Sequence, residues 1–453
     1  MQLPQILLDL RQITPSDQPL YLVGGAVRDY LLGKDCRDYD IVCQGQTRTI
    51  ARQYADHVKG AFFTLDDTRK TYRVLIDQTS EYKTILDFAT MQGESINDDL
   101  AQRDFTINAM AVDLNDARQI IDPNRGGRDL QEKWLRPVSD KSLINDPLRV
   151  VRALRYALKL DLKIEPPTTA LISEAVPLLG GVSIERKRDE LFKILDGKNI
   201  HTALRLLQHF SVFDHFPLPV ATDFQRVLDL TRELEEVLGW LTGCRELEKQ
   251  SSFHHVSLIK ELGVFKDRLR AHYLTENPSN RTRKALLYLS ILLGHQLDER
   301  DTTSADLLAL STEESNSIKL FSRGFLDIER WMGSLEVPKP AAIFDFYRDF
   351  ASTGVDLVIA NLAQYRTRIG ADFSQAEWLR RLSNAKTFLQ AWFEQPELLD
   401  PVPLLNGDDI MQQFDLKPGP LIGELLDRII HEQVAGTVTT KKEALDRVAS
   451  LLA

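Results

Sequence analysis

Leu22-Val-Gly-Gly-Ala-Val-Arg-Asp-Tyr-Leu-Leu-Gly33, with Asp38-Tyr-Asp40 shortly behind it, is the stretch of sequence that decides the fold. The apolar run that begins at Tyr21 is typical of a strand, and it ends at Gly24 and Gly25. Glycines let the backbone approach an anion closely, and the helix that begins after them offers free N–H groups to phosphate. The stretch therefore predicts a strand, a phosphate-binding turn and a helix, although a plain tight turn would also account for two glycines taken alone.

Asp38 and Asp40 are separated by one residue and precede the apolar pair Ile41-Val42, which is a strand-like pattern. On a strand, such residues project from the same face, so two carboxylates stand side by side and repel each other unless a cation lies between them. Mg²⁺ is the natural candidate, since it takes one or two carboxylates together with substrate phosphates. A third carboxylate, Asp87, lies on a later apolar strand, and two metals held in this way suit in-line displacement at phosphorus. A lone Asp-x-Asp is more often a solvated strand end, so the joint pattern carries the prediction of a magnesium site.

Length and composition indicate an ordinary globular protein with at least two domains. The chain has 453 residues, of which 43% are hydrophobic and 27% charged, and single hydrophobic cores stop growing at roughly 250–300 residues. A formal net charge of −10 argues on its face against a nucleic-acid partner. Binding depends on local basic surface, however, and basic residues are concentrated in two stretches, Arg149–Lys163 and Arg186–Lys198. A nucleic-acid partner is therefore not excluded.

No segment predicts export or membrane insertion. The first residues have neither a basic start nor an apolar run of signal length, and the longest apolar stretch, residues 285–294, is far shorter than the roughly 20 residues of a membrane span. Cys36, Cys43 and Cys244 show no metal-ligand spacing, which predicts free thiols. We expect a cytoplasmic protein that does not associate with membranes, and nothing in the sequence implies a protein partner.

The chain divides by its secondary-structure pattern into a mixed part and a helical part. Turn signals separate five strand-like runs in the first part, namely Leu20–Val23, Asp40–Val42, Tyr72–Ile76, Thr84–Phe88 and Met110–Leu114. After Asn145, apolar residues recur at helical spacing through the rest of the chain. We predict an α+β fold with a small α/β head at residues 1–140, a helical neck at 141–200, and an all-helical body and tail at 201–453.

Five motifs follow one another in a fixed order between residues 20 and 200. Behind Leu22–Gly33 and Asp38-x-Asp40 come Arg103-Asp-Phe-Thr-Ile-Asn-Ala-Met-Ala111, Asp122-Pro with Gly126-Gly and Asp129-Leu, Asp146-Pro-Leu-Arg-Val-Val-Arg-Ala-Leu-Arg155, and Glu185-Arg with Glu190-Leu. In this order they closely resemble the motifs of the class II tRNA nucleotidyltransferase and bacterial poly(A) polymerase family, which belongs to the DNA polymerase β-like nucleotidyltransferases. The resemblance implies a polymerase β-like head and template-independent transfer of nucleotides to an RNA 3′ end.

The resemblance also implies roles for three sets of head residues. Asp38 and Asp40 would hold the metals, with Asp87 as third carboxylate near the attacking 3′-hydroxyl. Gly24, Gly25 and Arg28 would hold the triphosphate, and Arg103 and Asp104 would read the ribose. The ribose 2′-hydroxyl is the group that distinguishes ribonucleotides from deoxyribonucleotides. Asn108, one helical turn beyond Asp104, is expected to reach the nucleotide as well.

Residues of the neck are predicted to select the base. Cytosine and adenine share an exocyclic amine beside a bare ring nitrogen, so Asp146 can accept from the amine and Arg149 can donate to the ring nitrogen. Arg149, Arg152 and Arg155 recur every three residues and share one side of a helix, which favours phosphate and base contacts over a salt-bridged solvent face in this context. Asp146 has a second interpretation, because an Asp before Pro147 often caps the helix that begins there.

Two departures from the family pattern leave the choice of base open. Gln102 stands where the family usually has an arginine, and Asn145 stands where a glutamate is common. The tail favours tRNA as the acceptor, because three of its segments resemble the tail of many tRNA nucleotidyltransferases: Pro403–Met411, Lys417–Gly423 and Gly436–Leu445.

Within that tail, Pro418-Gly-Pro420 ahead of Leu421–Glu432 predicts a helix start whose free N–H groups could receive an RNA phosphate, and a helix-packing turn is the alternative. Taken together, the sequence predicts an enzyme that adds C and/or A to the 3′ end of tRNA from CTP and ATP. The alternatives are a poly(A) polymerase, or a tRNA enzyme restricted to adding CC or A.

Overall fold

The computed structural model describes residues 3–79, 82–217, 223–243, 252–293, 308–368 and 373–452. The chain forms two compact units, residues 1–190 with 206–216, and residues 191–205 with 217–453. The three-part division predicted from the sequence stays a prediction, and Cys244 lies outside the described residues. In the part of the chain that the structure describes, no helix is long and apolar enough to cross a membrane.

A seven-stranded mixed sheet forms the centre of the first unit. Its strands are β1 (Leu20–Val23), β2 (Asp38–Cys43), β3 (Ala61–Asp66), β4 (Thr71–Thr79), β5 (Tyr82–Thr90), β6 (Ala111–Asp113) and β7 (Ile120–Ile121), in the spatial order β3-β4-β5-β2-β1-β6-β7. Strands β2 and β5 pair in parallel, and the other neighbours pair antiparallel. A separate two-stranded pair joins β8 (Trp134–Leu135) to β9 (Lys163–Ile164).

Helices make up most of the rest of the first unit and nearly all of the described part of the second unit. Up to residue 217 they are α1 (Gln5–Ile13), α2 (Gly25–Leu31), α3 (Thr47–Val58), α4 (Ile96–Ala101), α5 (Gly126–Glu132), α6 (Ser142–Asn145), α7 (Leu148–Lys159), α8 (Pro166–Ala175), α9 (Ile184–Leu195) and α10 (Ile200–His209). Beyond it they are α11 (Phe224–Leu241), α12 (Phe253–Leu262), α13 (Lys266–Leu274), α14 (Arg283–Leu293), α15 (Thr312–Met332), α16 (Pro340–Phe350), α17 (Thr353–Arg366), α18 (Gln375–Glu394), α19 (Pro396–Leu399), α20 (Gly407–Phe414), α21 (Pro420–Val434) and α22 (Lys441–Leu452).

The two faces of the sheet have different characters. Alternation along β2 places Tyr39 and Ile41 in the apolar core, while Asp38 and Asp40 are exposed on the opposite face. Helices α1 and α3 cover the core face with side chains such as Leu7. The acidic face is therefore left accessible at the centre of the sheet.

The second unit is built around one buried helix, α17, against which α11, α15 and α18 pack. Its buried Asp356 accepts from Arg283 and its buried Arg366 donates to Glu233, so each charge taken out of water has a partner. The last three helices, α20 to α22, share a small apolar cluster of their own. Helix α21 begins at Pro420, as the sequence predicts.

The predicted α+β class is confirmed, and all five predicted strands are present as β1, β2, β4, β5 and β6. Strand β3 was not predicted, because most of its side chains, including Phe63 and Leu65, are exposed and leave no clean alternation. Strands β7, β8 and β9 have two residues each, which is too short for any pattern.

Candidate active site

The turn after β1 brings the backbone of Gly24 against two charged side chains. Gly24 has φ +71° and ψ −134°, a conformation that residues with side chains rarely adopt, and α2 begins at Gly25. A Cβ at Gly24 would lie 3.1 Å from Nη1 of Arg103 and 3.1 Å from Oδ2 of Asp40. The glycine is thus needed both for the bend and for the close approach to these groups.

The three predicted carboxylates lie on one face of the sheet. Asp38 and Asp40 project from the exposed face of β2, and Asp87 is the register partner of Asp40 on the parallel strand β5. Asp87 is held by Arg73 of β4, whose Nε and Nη2 donate to its two oxygens at 2.8 Å each. Any contact of Asp87 with a metal or a hydroxyl group must therefore share an oxygen with Arg73.

Desolvation and neighbouring carboxylates raise the pKa of both Asp38 and Asp40. Desolvation within the protein raises the pKa of Asp40 to about 6; the nearby Arg103 opposes the rise, and the charges of Asp87 and Asp38 add to it. The pKa of Asp38 is also raised, by desolvation and then by the charge of Asp87. A cation would relieve this concentration of negative charge.

The carboxylates of the acidic face suit Mg²⁺ better than a metal ion that takes all its ligands from the protein. No group of three or more His, Cys, Asp and Glu side chains is arranged to hold a metal in the ranges that the structure describes. Mg²⁺ usually takes one or two carboxylates and completes its shell with water and substrate phosphates. Asp38 and Asp40 supply such a pair beside a glycine turn, which fits that mode of binding.

A buried chain of hydrogen bonds connects α2 to α7. Nη1 of Arg28 donates to Oδ1 of Asn108 at 2.6 Å, and Nδ2 of Asn108 donates to Oδ1 of Asp104 at 3.1 Å. Oδ2 of Asp104 accepts from Nε and Nη2 of Arg152 at 3.0 and 2.7 Å, and Oδ1 also accepts from the backbone N–H of Phe105. Burial alone would raise the pKa of Asp104, but Arg152 and Asn108 hold it below its usual range. Because Asp104 is 7% exposed and both its oxygens are engaged, a ribose hydroxyl would have to replace one of these donors.

The backbone around Asp104 differs from the expectation. Arg103 and Asp104 lie in the loop after α4, and Asn108 closes a 3₁₀ turn, so the prediction that Asn108 continues the same helix is wrong. The cause is that Phe105 is extended and forms a β-bridge with Pro137, which takes the chain out of the helical path. The side chains of Asn108 and Asp104 nevertheless meet, as the hydrogen bond between them shows.

The arginines of α7 are paired with other protein groups: Arg152 and Arg155 form the salt bridges that the alternative interpretation expects, but their side chains are only 30% and 11% exposed and do not form an open solvent face. Arg152 and Arg155 donate to the two oxygens of the buried Glu190 on α9 at 3.4 and 2.8 Å. The guanidinium of Arg155 lies over the ring of Tyr156, 4.4 Å from its centroid. These contacts hold α7 against α9 within the first unit, and direct contacts of Arg152 and Arg155 with phosphate or base stay a prediction.

Arg149 holds the loop that contains the ribose motif. Its Nη1 donates to Oγ of Ser142 at 2.7 Å and to the carbonyl oxygen of Arg103 at 3.0 Å, and its Nη2 donates to the carbonyl oxygen of Gln102 at 2.7 Å. Burial lowers the pKa of Arg149 from its ordinary value. Arg149 contacts Gln102 through its backbone carbonyl oxygen. The side chain of Gln102, which differs from the arginine usual in the family, therefore takes no part in this contact.

Asp146 pairs with a residue forty positions later and does not cap α7, so the capping interpretation is wrong. Its Oδ2 accepts from Nη2 of Arg186 at 2.8 Å. The helix start at Pro147 has no side-chain cap, and the N–H of Arg149 is instead satisfied by the backbone oxygen of Asp146. Oδ1 of Asp146 is shielded from solvent and has no hydrogen-bond partner among the described residues, which is an unmet acceptor of the kind that requires an explanation.

A cleft of about 650 Å³ brings together five of the predicted site residues. The predicted site residues in its lining are Arg103, Asp104, Asp146, Arg149 and Arg152. The carboxylates of the sheet are not part of that lining, but Arg103 joins the two regions, since its Nη1 lies beside Gly24 and Asp40. The volume is within the range of pockets that hold drug-sized ligands.

Sequence reasoning did not assign roles to Arg73, Arg186 and Glu190. Glu190 and Arg186 stand in the last of the five motifs, so a signal was present, but their partners are far away in the chain. Arg73 gave no signal, because its contact with Asp87 depends on the register between β4 and β5.

Comparison with protein-family models gives three matches along the chain. Residues 20–136 match the "Poly A polymerase head domain", residues 161–222 match the "Probable RNA and SrmB-binding site of polymerase A", and residues 361–449 match a model of tRNA nucleotidyltransferase domain 2.

Curated relatives match over nearly their whole length. A CC-adding tRNA nucleotidyltransferase of Geobacter sulfurreducens is 30% identical, covering 94% of this chain and 90% of the relative. An A-adding tRNA nucleotidyltransferase of Deinococcus radiodurans is also 30% identical, covering 93% of each chain. Among solved structures, the Thermotoga maritima CCA-adding enzyme complexed with tRNA superposes with a TM-score of 0.65 at 24% identity, covering 100% of this chain and 97% of that one, so the likeness extends through the fold.

Proposed function

This chain belongs to the tRNA nucleotidyltransferase and poly(A) polymerase family, and we propose that it adds C and/or A to the 3′ end of tRNA from CTP and ATP. The observation that carries the proposal is the position of Arg103. Its guanidinium lies between the Gly24 turn with Asp40 on one side and the cleft with Asp146 on the other. A triphosphate at the turn and a base in the cleft would therefore belong to one bound nucleotide.

Asp38 and Asp40 would hold Mg²⁺, which would neutralise the triphosphate and polarise the phosphorus under attack. The glycine turn and the N-terminus of α2 present backbone N–H groups to the phosphates. The guanidinium of Arg28 is held close to Gly25, at the start of α2, by Asn108 and Asp29. The 3′-hydroxyl oxygen of the RNA would bond to the α-phosphorus and lose its proton to a nearby carboxylate or to water, while the bond from that phosphorus to the bridging oxygen breaks and pyrophosphate leaves. Asp87, oriented by Arg73, is the carboxylate proposed to lie nearest the attacking hydroxyl.

Asp146 and Arg149 are proposed to select the base without a nucleic-acid template. Asp146 lines the cleft, and its carboxylate is an acceptor of the kind that suits the exocyclic amine of cytosine or adenine. Arg149 is held rigidly by Ser142 and two backbone carbonyls, so its guanidinium keeps a fixed position for the ring nitrogen. Uracil and guanine present a carbonyl and a ring N–H at these positions and would leave both groups unpaired, which is costly in a desolvated site.

We propose tRNA as the acceptor because curated relatives named as tRNA nucleotidyltransferases match almost the whole chain, including its tail. RNA helices are recognised largely through shape and backbone. The N-terminus of α21 at Pro420 remains a predicted phosphate contact. The cytoplasmic location predicted from the sequence stays a prediction.

The test is to supply CTP, ATP, UTP and GTP separately, with Mg²⁺, to tRNA ending at the discriminator base, tRNA ending in CC, and an unrelated RNA end, and to sequence the products. We expect limited addition of C and/or A to the tRNA ends. Open-ended addition of A to any RNA end would contradict the proposal and favour a poly(A) polymerase.

Variants at the acidic face provide the matched test of the site. Asp40→Ala and Asp38→Asn are expected to remove transfer while tRNA binding, measured by gel shift, stays near that of the parent. Asp116→Asn changes an exposed surface carboxylate that pairs with Arg118 and serves as control. Parent-like transfer by Asp40→Ala would rule out the proposed metal site.

A further inference from the structure

A row of four side chains, which we call the Phe63 row, crosses the acidic face of the sheet from β2 to its edge. Followed outwards through the strand registers, its members are Asp40, Asp87, Arg73 and Phe63. Phe63 lies on the edge strand β3 and is 48% exposed, while the preceding Phe62 packs against the core on the opposite face. Neighbouring strands are about 4.8 Å apart, which places Phe63 about 10 Å from Asp87. An exposed aromatic ring thus lies beyond the carboxylates on their own face.

In-line displacement decides from which side the RNA must reach the α-phosphorus. The Gly24 turn, proposed to hold the triphosphate, follows β1, and β1 lies beside β2 on the side opposite β5. The attacking and leaving oxygens lie on opposite sides of the phosphorus. Pyrophosphate on the β1 side therefore requires the 3′-hydroxyl to arrive from the β5 side, where the outer members of the Phe63 row lie.

The incoming base leaves this part of the face free. It is assigned to the 650 Å³ cleft, whose lining includes Val42, Ala89 and Thr71. These three are register partners and form one row next to the Phe63 row. The Phe63 row itself, and the half-buried Leu75 on its other side, remain for the end of the RNA.

We propose that Phe63 is a stacking platform for a base at the 3′ end of the RNA acceptor. The inference rests on the proposed function and identifies how the attacking end is held. Arg73 donates to Asp87 through Nε and Nη2, and its Nη1 has no hydrogen-bond partner among the described residues. The Arg73 side chain is 39% exposed, so Nη1 is available to a phosphate of the same RNA end. A cation for the backbone and a ring for the base are the two contacts by which proteins hold single-stranded RNA.

Stacking suits an acceptor whose last base changes with each addition. Every base has a π-face, so an aromatic ring accepts all of them, whereas a hydrogen-bonding site would reject all but a matching base. The competing role for this edge is pairing of β3 with β3 of a second copy of the chain, because an exposed edge strand offers unpaired backbone groups. Such pairing would make the protein a dimer and would not depend on RNA.

The experiment compares the parent with Phe63→Ala, Phe63→Leu and Phe63→Tyr. Thr64→Ala is the matched control, because Thr64 is an exposed neighbour on the same strand whose register partner Tyr72 lies on the core face. Transfer is measured as kcat/KM for tRNA ending at the discriminator base and for tRNA ending in CC, at saturating CTP or ATP. Equilibrium binding of CTP and ATP without RNA, thermal melting, and molecular mass by light scattering are measured on the same proteins.

A fluorescent RNA end reports the contact without relying on activity. The probe is tRNA with 2-aminopurine as its 3′-terminal base, whose fluorescence falls when the base stacks. We expect binding to the parent, to Phe63→Tyr and to Thr64→Ala to quench this fluorescence. Phe63→Ala should quench it much less, because the ring is gone.

We expect Phe63→Ala to lower kcat/KM for both tRNA ends by about 5- to 50-fold, in the range for loss of base–aromatic stacking. Phe63→Tyr should behave like the parent, and Phe63→Leu should lie between the two, since it keeps apolar bulk without the ring. The binding of CTP and ATP, the Tm and the molecular mass should stay at the parent's values in all variants.

Two results would overturn the inference. One is parent-like transfer and parent-like quenching by a folded Phe63→Ala protein. The other is a dimeric parent that Phe63→Ala converts to a monomer, which would assign the edge to a second copy of the chain. If Phe63→Ala melts early, the comparison of Phe63→Tyr with Phe63→Leu decides in its place. Failure of the proposed function is distinguishable, because a parent that adds neither C nor A to tRNA fails before any variant is compared.

Discussion

Replacing Gly24 by alanine should damage catalysis far more than it damages the fold. The backbone at this residue has φ +71° and ψ −134°, a conformation that costs a residue with a side chain about 1–3 kcal/mol. The added methyl group would also lie 3.1 Å from Nη1 of Arg103 and from Oδ2 of Asp40. Both neighbours must then move by a few tenths of an ångström. Misplacement by a full ångström costs on the order of 100-fold in rate, so we expect kcat to fall about tenfold.

Two other glycines separate strain from crowding. Gly33 also has a positive φ of 66°, but no heavy atom lies within 4 Å of the position that a Cβ would take, so Gly33→Ala adds strain without a contact. Gly25 has no positive φ, and a Cβ there would lie 3.4 Å from Nη2 of Arg28, so Gly25→Ala should be mild. Single-turnover transfer of CTP or ATP measures the effect on rate. Each kcal/mol of strain should lower Tm by roughly 2–4 °C in a unit of this size.

Gly24→Ala should lose much more activity than Gly33→Ala, relative to the loss of Tm in each variant. Equal losses of kcat in these two variants would show that strain alone matters and that the closeness of Arg103 and Asp40 does not. If Gly24→Ala kept the kcat of the parent, the turn at Gly24 would not be part of the active site.

Three further predictions follow from the contacts of the cleft. Asp104→Ala should increase the use of dATP and dCTP relative to ATP and CTP, because it releases Arg152 and removes the predicted ribose acceptor. Loss of one charge-assisted hydrogen bond corresponds to roughly 1.5–3 kcal/mol. An unchanged ratio of deoxyribonucleotide to ribonucleotide use would assign the 2′-hydroxyl to another residue. Asp146→Ala should lower the preference for C and A over U and G by about 10- to 100-fold. Its loss of Tm should be small, since Asp146 does not cap α7. Arg149→Ala should lose the same preference, and competition among the four triphosphates at equal concentration checks both variants. Glu190→Gln should lower the free energy of unfolding by roughly 3–5 kcal/mol, because it breaks a buried ion pair with Arg155. Urea unfolding measures this loss, and Glu132→Gln, which changes an exposed ion pair, is the control.

The order of strands and glycines along the chain was enough to predict the head, because each signal there is local. Strand β2 was predicted at Asp40–Val42 and extends over Asp38–Cys43, since exposed and buried residues alternate from Asp38 to Ile41 and the strand ends on the buried pair Val42 and Cys43. The accessible carboxylates were predictable for the same reason, as Asp38 and Asp40 are two residues apart on one strand.

What could not be predicted depends on residues that are distant in sequence. The Asp-Pro pair at Asp146 favours a capped helix by local rules, but Arg186 provides a partner for its carboxylate from another helix. Asp87 reads as a free ligand until the pairing of β4 with β5 brings Arg73 opposite it. Local patterns therefore identify which residues matter, and the fold decides which of their atoms remain available.

The position of Arg103 between the sheet and the cleft has a consequence for how such an enzyme can change over generations. The phosphorus chemistry is assigned to side chains of β2 and β5, and the choice of base to residues around the start of α7, with Arg103 beside both. Under that proposed assignment, mutations near α7 would alter which nucleotide is added while selection maintains Asp38 and Asp40 unchanged. A lineage would then exchange one nucleotide preference for another without passing through an inactive ancestor.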